Sequence, residues 1–265
     1  MARLWVDPRH QQRFAALGLN SFEAVVLHFT GGGTPPKSVW LKPLTLQAAG
    51  LPSVDVFYKQ YTFRKPSWKF LGRMSKARRE FENYAIFEEL GIPCAQRVAT
   101  GELRDGLGRL RKAFIITVTI PDTQPLPEYV EQHCPDRRSA TNRLQRDALI
   151  EQVASLAQRL HRAHFFHHDL VWRNVLVNHG TKGRPQAWAI DCPSGGKVKG
   201  RLFQRQRQLK DFASLDKIAS EKCTTRERLR FVQLYLGVRK LDAAGRQLIR
   251  DALNYRKKRW PDDWK

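Results

Sequence analysis

Acidic residues are in short supply in this chain: 25 Asp and Glu stand against 47 Lys and Arg in 265 residues, a formal charge of +22. So large an imbalance works against compactness and is retained where an anionic partner offsets it, whether nucleic acid, an anionic membrane surface or a phosphorylated substrate. Cysteine is scarce as well. The four, at 94, 134, 192 and 223, form no C-x-x-C pair and no tight cluster. That argues against a zinc ribbon or a disulfide framework and fits a reducing compartment. Long apolar runs are missing too; the best is "AFIITVTI" at 113–120, far short of the 18 or so residues that a membrane-crossing helix needs. The first residues, "MARLWVDPRHQQRF", lack the apolar core of a signal peptide. There is no internal repeat and no low-complexity tract. With 42% hydrophobic residues, the chain is nevertheless a folding one.

The first 120 residues read mainly as strands. "FEAVVLHF" (22–29), "SVWLKPLTL" (38–46) and "VDVFYKQYTF" (54–63) are three strand-like runs separated by turn chemistry, an expected antiparallel meander. "SKARREFENYAIFEELGIP" (75–93) is rich in helix formers and is stopped by Gly91 and Pro93. "RVATGEL" and "KAFIITVTI" supply two more strands. "PDTQPLPEY" (121–129), with three prolines, reads as a short stiff connection. Beyond it, "RDALIEQVASLAQRLHRAH" (146–164) spaces Leu149, Val153, Leu156 and Leu160 by 4, 3 and 4, one apolar helix stripe. "NVLVN" and "AWAID" are two short strands joined by "HGTKGRPQ". The last third is helical, with Thr224 and Glu227 as a capping box ahead of "RLRFVQLYLG". The expected architecture is α+β and two-lobed: a β-rich lobe over 1–120, a mainly helical lobe over 121–265, and the short hairpin at the cleft between them.

"HHDLVWRNVLV" (167–177) carries the chemistry. Asp and Asn are poor strand formers, yet both stand at the mouth of an apolar run. His167, Asp169 and Asn174 give H-x-D-x-x-x-x-N, and Asp191 closes the next strand in "AIDCP". This is the spacing of a kinase catalytic loop followed by a metal-binding aspartate. A hydroxyl that attacks a γ-phosphoryl group needs a carboxylate to orient it and accept its proton, the role expected of Asp169. Magnesium takes hard oxygen ligands, which Asn174 and Asp191 supply. Upstream, Lys59 in "VFYKQY" lies on the third strand-like run, where a lysine would reach the nucleotide phosphates. Glu80 on the following helix is expected to hold it. Glu82 is the rival, but it points roughly 200° away at 100° per residue.

At these residues the chain resembles the lipopolysaccharide core kinase family, which phosphorylates heptose or 3-deoxy-D-manno-octulosonic acid (Kdo) and looks like a compact bacterial branch of the protein-kinase-like fold. The pieces are "VFYKQY", "ARREFENYAIFEELGIP", "LHRAHFFHHDLVWRNVLV", "AIDCP" and "QLKDFASL…TTRERLRFVQLYLG". The last is the most family-specific, because ordinary protein kinases do not share it. The resemblance implies ATP and Mg2+ as cofactors, a sugar hydroxyl of the lipopolysaccharide inner core as acceptor, and work at the cytoplasmic face of the inner membrane. It assigns Asp169 as base, Asn174 and Asp191 to the metal, Lys59 to the α- and β-phosphates and Glu80 to Lys59. Segment 115–120, with Ile116, Thr117 and Val118, would hydrogen-bond adenine through its backbone.

Two departures stand out. No G-x-G-x-x-G is present, "GGGTPP" (31–36) being the nearest stretch, and "DCP" replaces the D-F-G of protein kinases. Pro193 fixes φ and lacks an N–H, so this loop is not expected to flip. Two rival readings stand beside the sugar kinase. One is a kinase-fold phosphotransferase for a protein or small molecule, although no A-P-E motif follows Asp191. The other is an inactive homologue that binds glycolipid. Nucleic acid is not expected as a partner, since no recognition motif accompanies the charge. His167 and His168 are expected to be structural, bonding backbone carbonyls. Asp211 in "LKDFASL" either bonds the catalytic-loop backbone from a helix start or is a solvated carboxylate. Two acid-free basic runs, 62–79 and 197–210, are expected near the cleft mouth, facing an anionic acceptor. Trp68, Phe70 and Leu71 in the first run, and the tail "NYRKKRWPDDWK", suggest contact with an anionic leaflet.

Overall fold

The computed structural model describes residues 1–180 and 183–264, with side chains to Asp262. Thr181 and Lys182 of the turn read at 179–186, and the end of the basic tail, lie outside the described residues. The chain forms two compact units, residues 1–86 with 95–120 and residues 87–94 with 121–265.

The first unit is built on a five-stranded antiparallel sheet. Its strands are β1 (Ala2–Val6), β2 (Val39–Leu46), β3 (Val54–Ser67), β4 (Arg97–Arg104) and β5 (Leu110–Val118), in the order β1-β4-β5-β3-β2. The helices are α1 (Gln11–Ala16), α2 (Phe22–Thr30) and most of α3 (Lys76–Glu89). The expected meander is therefore corrected in its first member, because residues 22–29 are helical. Ser21 caps α2 by accepting from the Ala24 amide at 3.1 Å, and Gly31 ends it at φ 62°. Phe22, Val25 and Phe29, at spacings of 3 and 4, are its buried face. That helical spacing overrides the β-branched composition of "FEAVVLHF". β1 carries no strand signal strong enough to read from sequence; it exists by pairing with β4 in register Ala2↔Leu103 to Val6↔Ala99. Between α2 and the sheet, the Phe29 and Tyr58 rings stack with centroids 4.4 Å apart, and Phe22 lies 5.2 Å from Phe114.

The second unit is mainly helical: α4 (Leu126–His133), α5 (Ala140–Arg162), α6 (Arg201–Lys222), α7 (Thr225–Leu236) and α8 (Ala243–Arg259). The segment 121–129 is more than a connection. Gln124–Pro125 forms a two-residue strand, β6, and Leu126 begins α4 with a proline in the first turn, where its missing N–H costs nothing. α5 starts earlier than expected, capped by Ser139. Its stripe Leu149, Val153, Leu156 and Leu160 is buried as the spacing predicts. The capping box at Thr224 and Glu227 is present. Glu227 also pairs with the buried Arg146 at 2.6 Å, so one carboxylate both starts α7 and ties it to α5. Burial favours the neutral form of Glu227, but the hydrogen bonds from Arg146 and the Thr224 backbone outweigh it and hold its pKa below the usual range.

Small strands frame the chemistry-bearing segments of this unit. β7 (Phe165–Phe166) pairs with β10 (Gly196–Lys197), and β8 (Val175–His179) pairs with both β6 and β9 (Pro185–Ala189).

Gly101 on β4 shows how tightly the first unit is packed. A Cβ there would stand 2.5 Å from the Phe114 ring and 2.7 Å from that of Phe22. Gly101→Ala is expected to destabilise the fold by about 1–3 kcal/mol through overpacking. The test is the urea midpoint at unchanged m; an unmoved midpoint would show that the aromatic cluster yields.

Candidate active site

Two clusters hold the chemistry-bearing residues, one in each unit. In the first, Lys59 lies mid-strand on β3, opposite Leu41 of β2 and Ile115 of β5. Its Nζ meets Glu80 Oε2 at 3.2 Å, with the two side chains 16% and 4% exposed. Placement of Glu80 starts one turn earlier. Ser75 donates its amide to Glu102 Oε1 of β4 at 2.7 Å, while its hydroxyl accepts from the Arg78 amide. This pins the start of α3 to the sheet and brings Glu80 over β3. Tyr84, one turn on, donates to Glu80 Oε1 at 3.4 Å. The rival, Glu82, instead lies 3.8 Å from Arg78 and is 44% exposed. Ile116, Thr117 and Val118 lie in the β5 ladder, and the Val118 amide already donates to Gln96 O at 2.8 Å.

"GGGTPP" is not a loop between strands. Gly31 is the left-handed cap of α2, and the rest leads from that helix to the edge strand β2.

The second cluster is the loop between β7 and β8. One buried carboxylate organises it. Asp211, in the middle of α6 rather than at its start, accepts from the His167 amide at 2.9 Å and the His168 amide at 3.0 Å. It also lies 3.4 Å from His161 Nε2. Trp172 fastens the far end, donating to Leu215 O at 2.9 Å. Between these anchors Asp169 reaches solvent, its side chain 47% exposed and 3.5 Å from Arg173. Asn174 is buried; its Nδ2 donates to Asp169 O at 2.9 Å and Asp169 Oδ2 at 3.2 Å. That pairing turns Oδ1 away from Asp169.

Asp191 is positioned through its neighbour. Ile190 donates its amide to Asn174 O at 3.0 Å, and its carbonyl accepts from His167 Nε2 at 3.2 Å. Both main-chain groups of Ile190 thus bind the preceding loop. Asp191 itself has φ 56°, a left-handed conformation uncommon for a non-glycine residue and often found at functional sites. Gly195 completes the turn, for a Cβ there would collide with Cys192 Sγ and crowd Phe166 O.

The donor set suits magnesium. Among the described residues no group of three or more His, Cys, Asp and Glu could cage a metal. Magnesium is commonly held by one or two carboxylates together with substrate phosphates rather than by an all-protein cage. An aspartate and an amide oxygen, joined through Ile190, fit that pattern.

Residues 59–235 match the profile described as the lipopolysaccharide kinase (Kdo/WaaP) family. The chain belongs to that family. No curated protein sequence matches it closely enough to count as a relative. Among solved structures, WaaP in complex with acyl carrier protein is similar over 99% of this chain and 100% of that one, at 21% identity and TM-score 0.67. A Mycobacterium tuberculosis PknI kinase domain is similar over 80% of this chain and 73% of that one, at 14% identity and TM-score 0.41. The fold is the α+β, kinase-like fold expected, and the family makes the chain a phosphotransferase. Sequence reasoning missed two parts of the second cluster: Ile190, which acts through its backbone, and Arg173, four residues after Asp169.

His167 generates a pH prediction. Burial lowers its pKa from the ordinary histidine value of 6.5, against the opposing pull of Asp211 and the Ile190 carbonyl. His10 and His168 are lowered too, first by burial and then by nearby arginine. The unfolded chain then binds more protons than the folded one below pH 6.5, and stability falls as pH falls through that value. Urea midpoints at pH 7.5, 6.5 and 5.5 should decline in that order. A flat or rising series would contradict the neutral, buried imidazole.

Proposed function

We propose that this kinase transfers the γ-phosphoryl group of ATP to a sugar hydroxyl, heptose or Kdo, of the lipopolysaccharide inner core. The observation that carries the reading is the Asp211-anchored loop, with Asp169 reaching solvent and Asn174 bonded to it. Asp169 orients the acceptor hydroxyl and takes its proton as the oxygen bonds to phosphorus and the bond to the leaving nucleoside diphosphate breaks. Asn174 and Asp191 hold magnesium, which when bound offsets charge on the nucleotide phosphates. Lys59, kept extended by Glu80, contacts the α- and β-phosphates. Ile116, Thr117 and Val118 lie on the adenine side. The Val118 amide is already engaged by Gln96 O.

The test is transfer of labelled γ-phosphate to dephosphorylated lipopolysaccharide core. Asp169→Asn is expected to lower kcat by roughly 10²–10⁴, the range for losing a general base, while nucleotide binding by calorimetry persists. Lys59→Met should instead raise the KM for ATP. Equal loss of nucleotide binding in Asp169→Asn would place that residue outside the transfer step.

For location, no helix among the described residues is long and apolar enough to cross a membrane. We propose peripheral contact with an anionic leaflet at the cytoplasmic face of the inner membrane. Phe70 is withdrawn from that role, since it is buried beside Phe63. Trp68 and Leu71 are exposed, and so are Leu202 and Phe203, which sit among exposed Lys197, Lys199 and Arg201. Leu202→Ser with Phe203→Ser should reduce sedimentation with vesicles containing phosphatidylglycerol. Equal sedimentation with neutral vesicles in the parent protein would remove the proposal.

A further inference from the structure

The basic run 197–210 separates into three kinds of residue. Arg205 is spent internally, 2.7 Å from Asp251 and bonded to Gln208. Lys197, Lys199 and Arg201 are exposed and hydrated, so they need no partner. Arg207 and Lys210 differ from both. Each is only partly exposed, and neither makes a hydrogen bond or ion pair among the described residues.

Their position is set by helix geometry. Arg207 is four residues before Asp211, so the two share one face of α6, and Lys210 is adjacent on the same turn. That face bears the carboxylate that holds the His167 and His168 amides, and Asp169 is the next residue. The His168 ring registers both cations: its pKa is lowered first by burial and then by Arg207 and Lys210, against Asp211. Its Nε2 is buried without a partner. Partly desolvating two like charges side by side is unfavourable unless an anion joins them.

We infer that Arg207 and Lys210 form an anion-binding subsite beside Asp169 that receives a phosphate or carboxylate carried by the acceptor. This rests on the proposed sugar-kinase reading. It adds that the acceptor is recognised by a charge it already bears, next to the hydroxyl that is phosphorylated. Arg207 offers a planar fork suited to two oxygens, and Lys210 a point charge.

The experiment measures initial rates with three forms of truncated core: intact, phosphatase-treated and carboxyl-reduced. In the parent enzyme, the form lacking the engaged anion should show the raised KM, which identifies the source of the charge. Arg207→Gln and Lys210→Gln should each raise the KM for intact acceptor about tenfold or more, the scale of one charge-assisted hydrogen bond, with kcat within about threefold. For the form lacking that anion, KM should rise no further. An unchanged KM, or an equal rise with all three forms, would overturn the subsite.

A second readout does not depend on turnover. Inorganic phosphate, titrated into the full chain, should shift the His168 ring resonances saturably, and Arg207→Gln with Lys210→Gln should abolish the shift. No saturable shift in the parent protein would also overturn it. A saturable shift without phosphorylation of any core acceptor would uphold the subsite while rejecting the sugar-kinase reading.

Discussion

A single carboxylate sets the geometry of the second unit's chemistry. Asp211 accepts two consecutive backbone amides and faces a histidine, all in a setting where it is itself fully buried. A buried charge is tolerated only when its lone pairs are satisfied, so the amides of His167 and His168 and the His161 ring are as necessary to Asp211 as Asp211 is to them. Consecutive amides can point at one carboxylate only if the chain turns sharply, and His168 does so at φ 66°. From that turn the next residue, Asp169, emerges toward solvent. The aspartate's exposure and the loop's rigidity thus have one cause.

The same economy runs through the rest of the chain. Ile190 uses both of its main-chain groups to join two loops, so Asp191 inherits its position from Asn174 and His167. Glu227 caps one helix and ties down the arginine of another. Glu102 receives the amide of Ser75, just ahead of α3, and also pairs with Arg104 at 2.8 Å, and Glu80 follows from that start. With only 25 acids against 47 bases, most buried acids serve several partners. The cations left over face solvent or, at Arg207 and Lys210, the neighbourhood of the loop. The chain's large positive charge is therefore not uniform. Part is consumed in structure, and part is left at the surface.

How much of this could be read beforehand followed from the range of the interactions. The α5 stripe and the Thr224 capping box are local patterns with a fixed period or spacing, and both appear as expected. Lys59 and Glu80 meet, because strand and helix placement decided which glutamate could reach. Residues 22–29 were harder. β-branched content pulled toward a strand, while the deciding signals were the Ser21 cap, the 3 and 4 spacing and Gly31. β1 depends on a partner about a hundred residues away, and no local feature announces it. Asp211 was ambiguous for the same reason, its partners being 43 and 44 residues distant. Ile190 acts through backbone alone, which leaves no trace in residue type.

The most direct measurement of the central claim concerns the metal. Manganese with a non-hydrolysable ATP analogue can be titrated into the full chain while amide resonances are followed. If Asn174 and Asp191 hold the nucleotide's metal, the Asn174 side-chain amide and the Asp191 backbone amide should broaden selectively, and only with nucleotide present. Broadening elsewhere, or none despite nucleotide binding, would contradict the assignment and leave the Asp211-anchored loop as a fold feature without its chemistry.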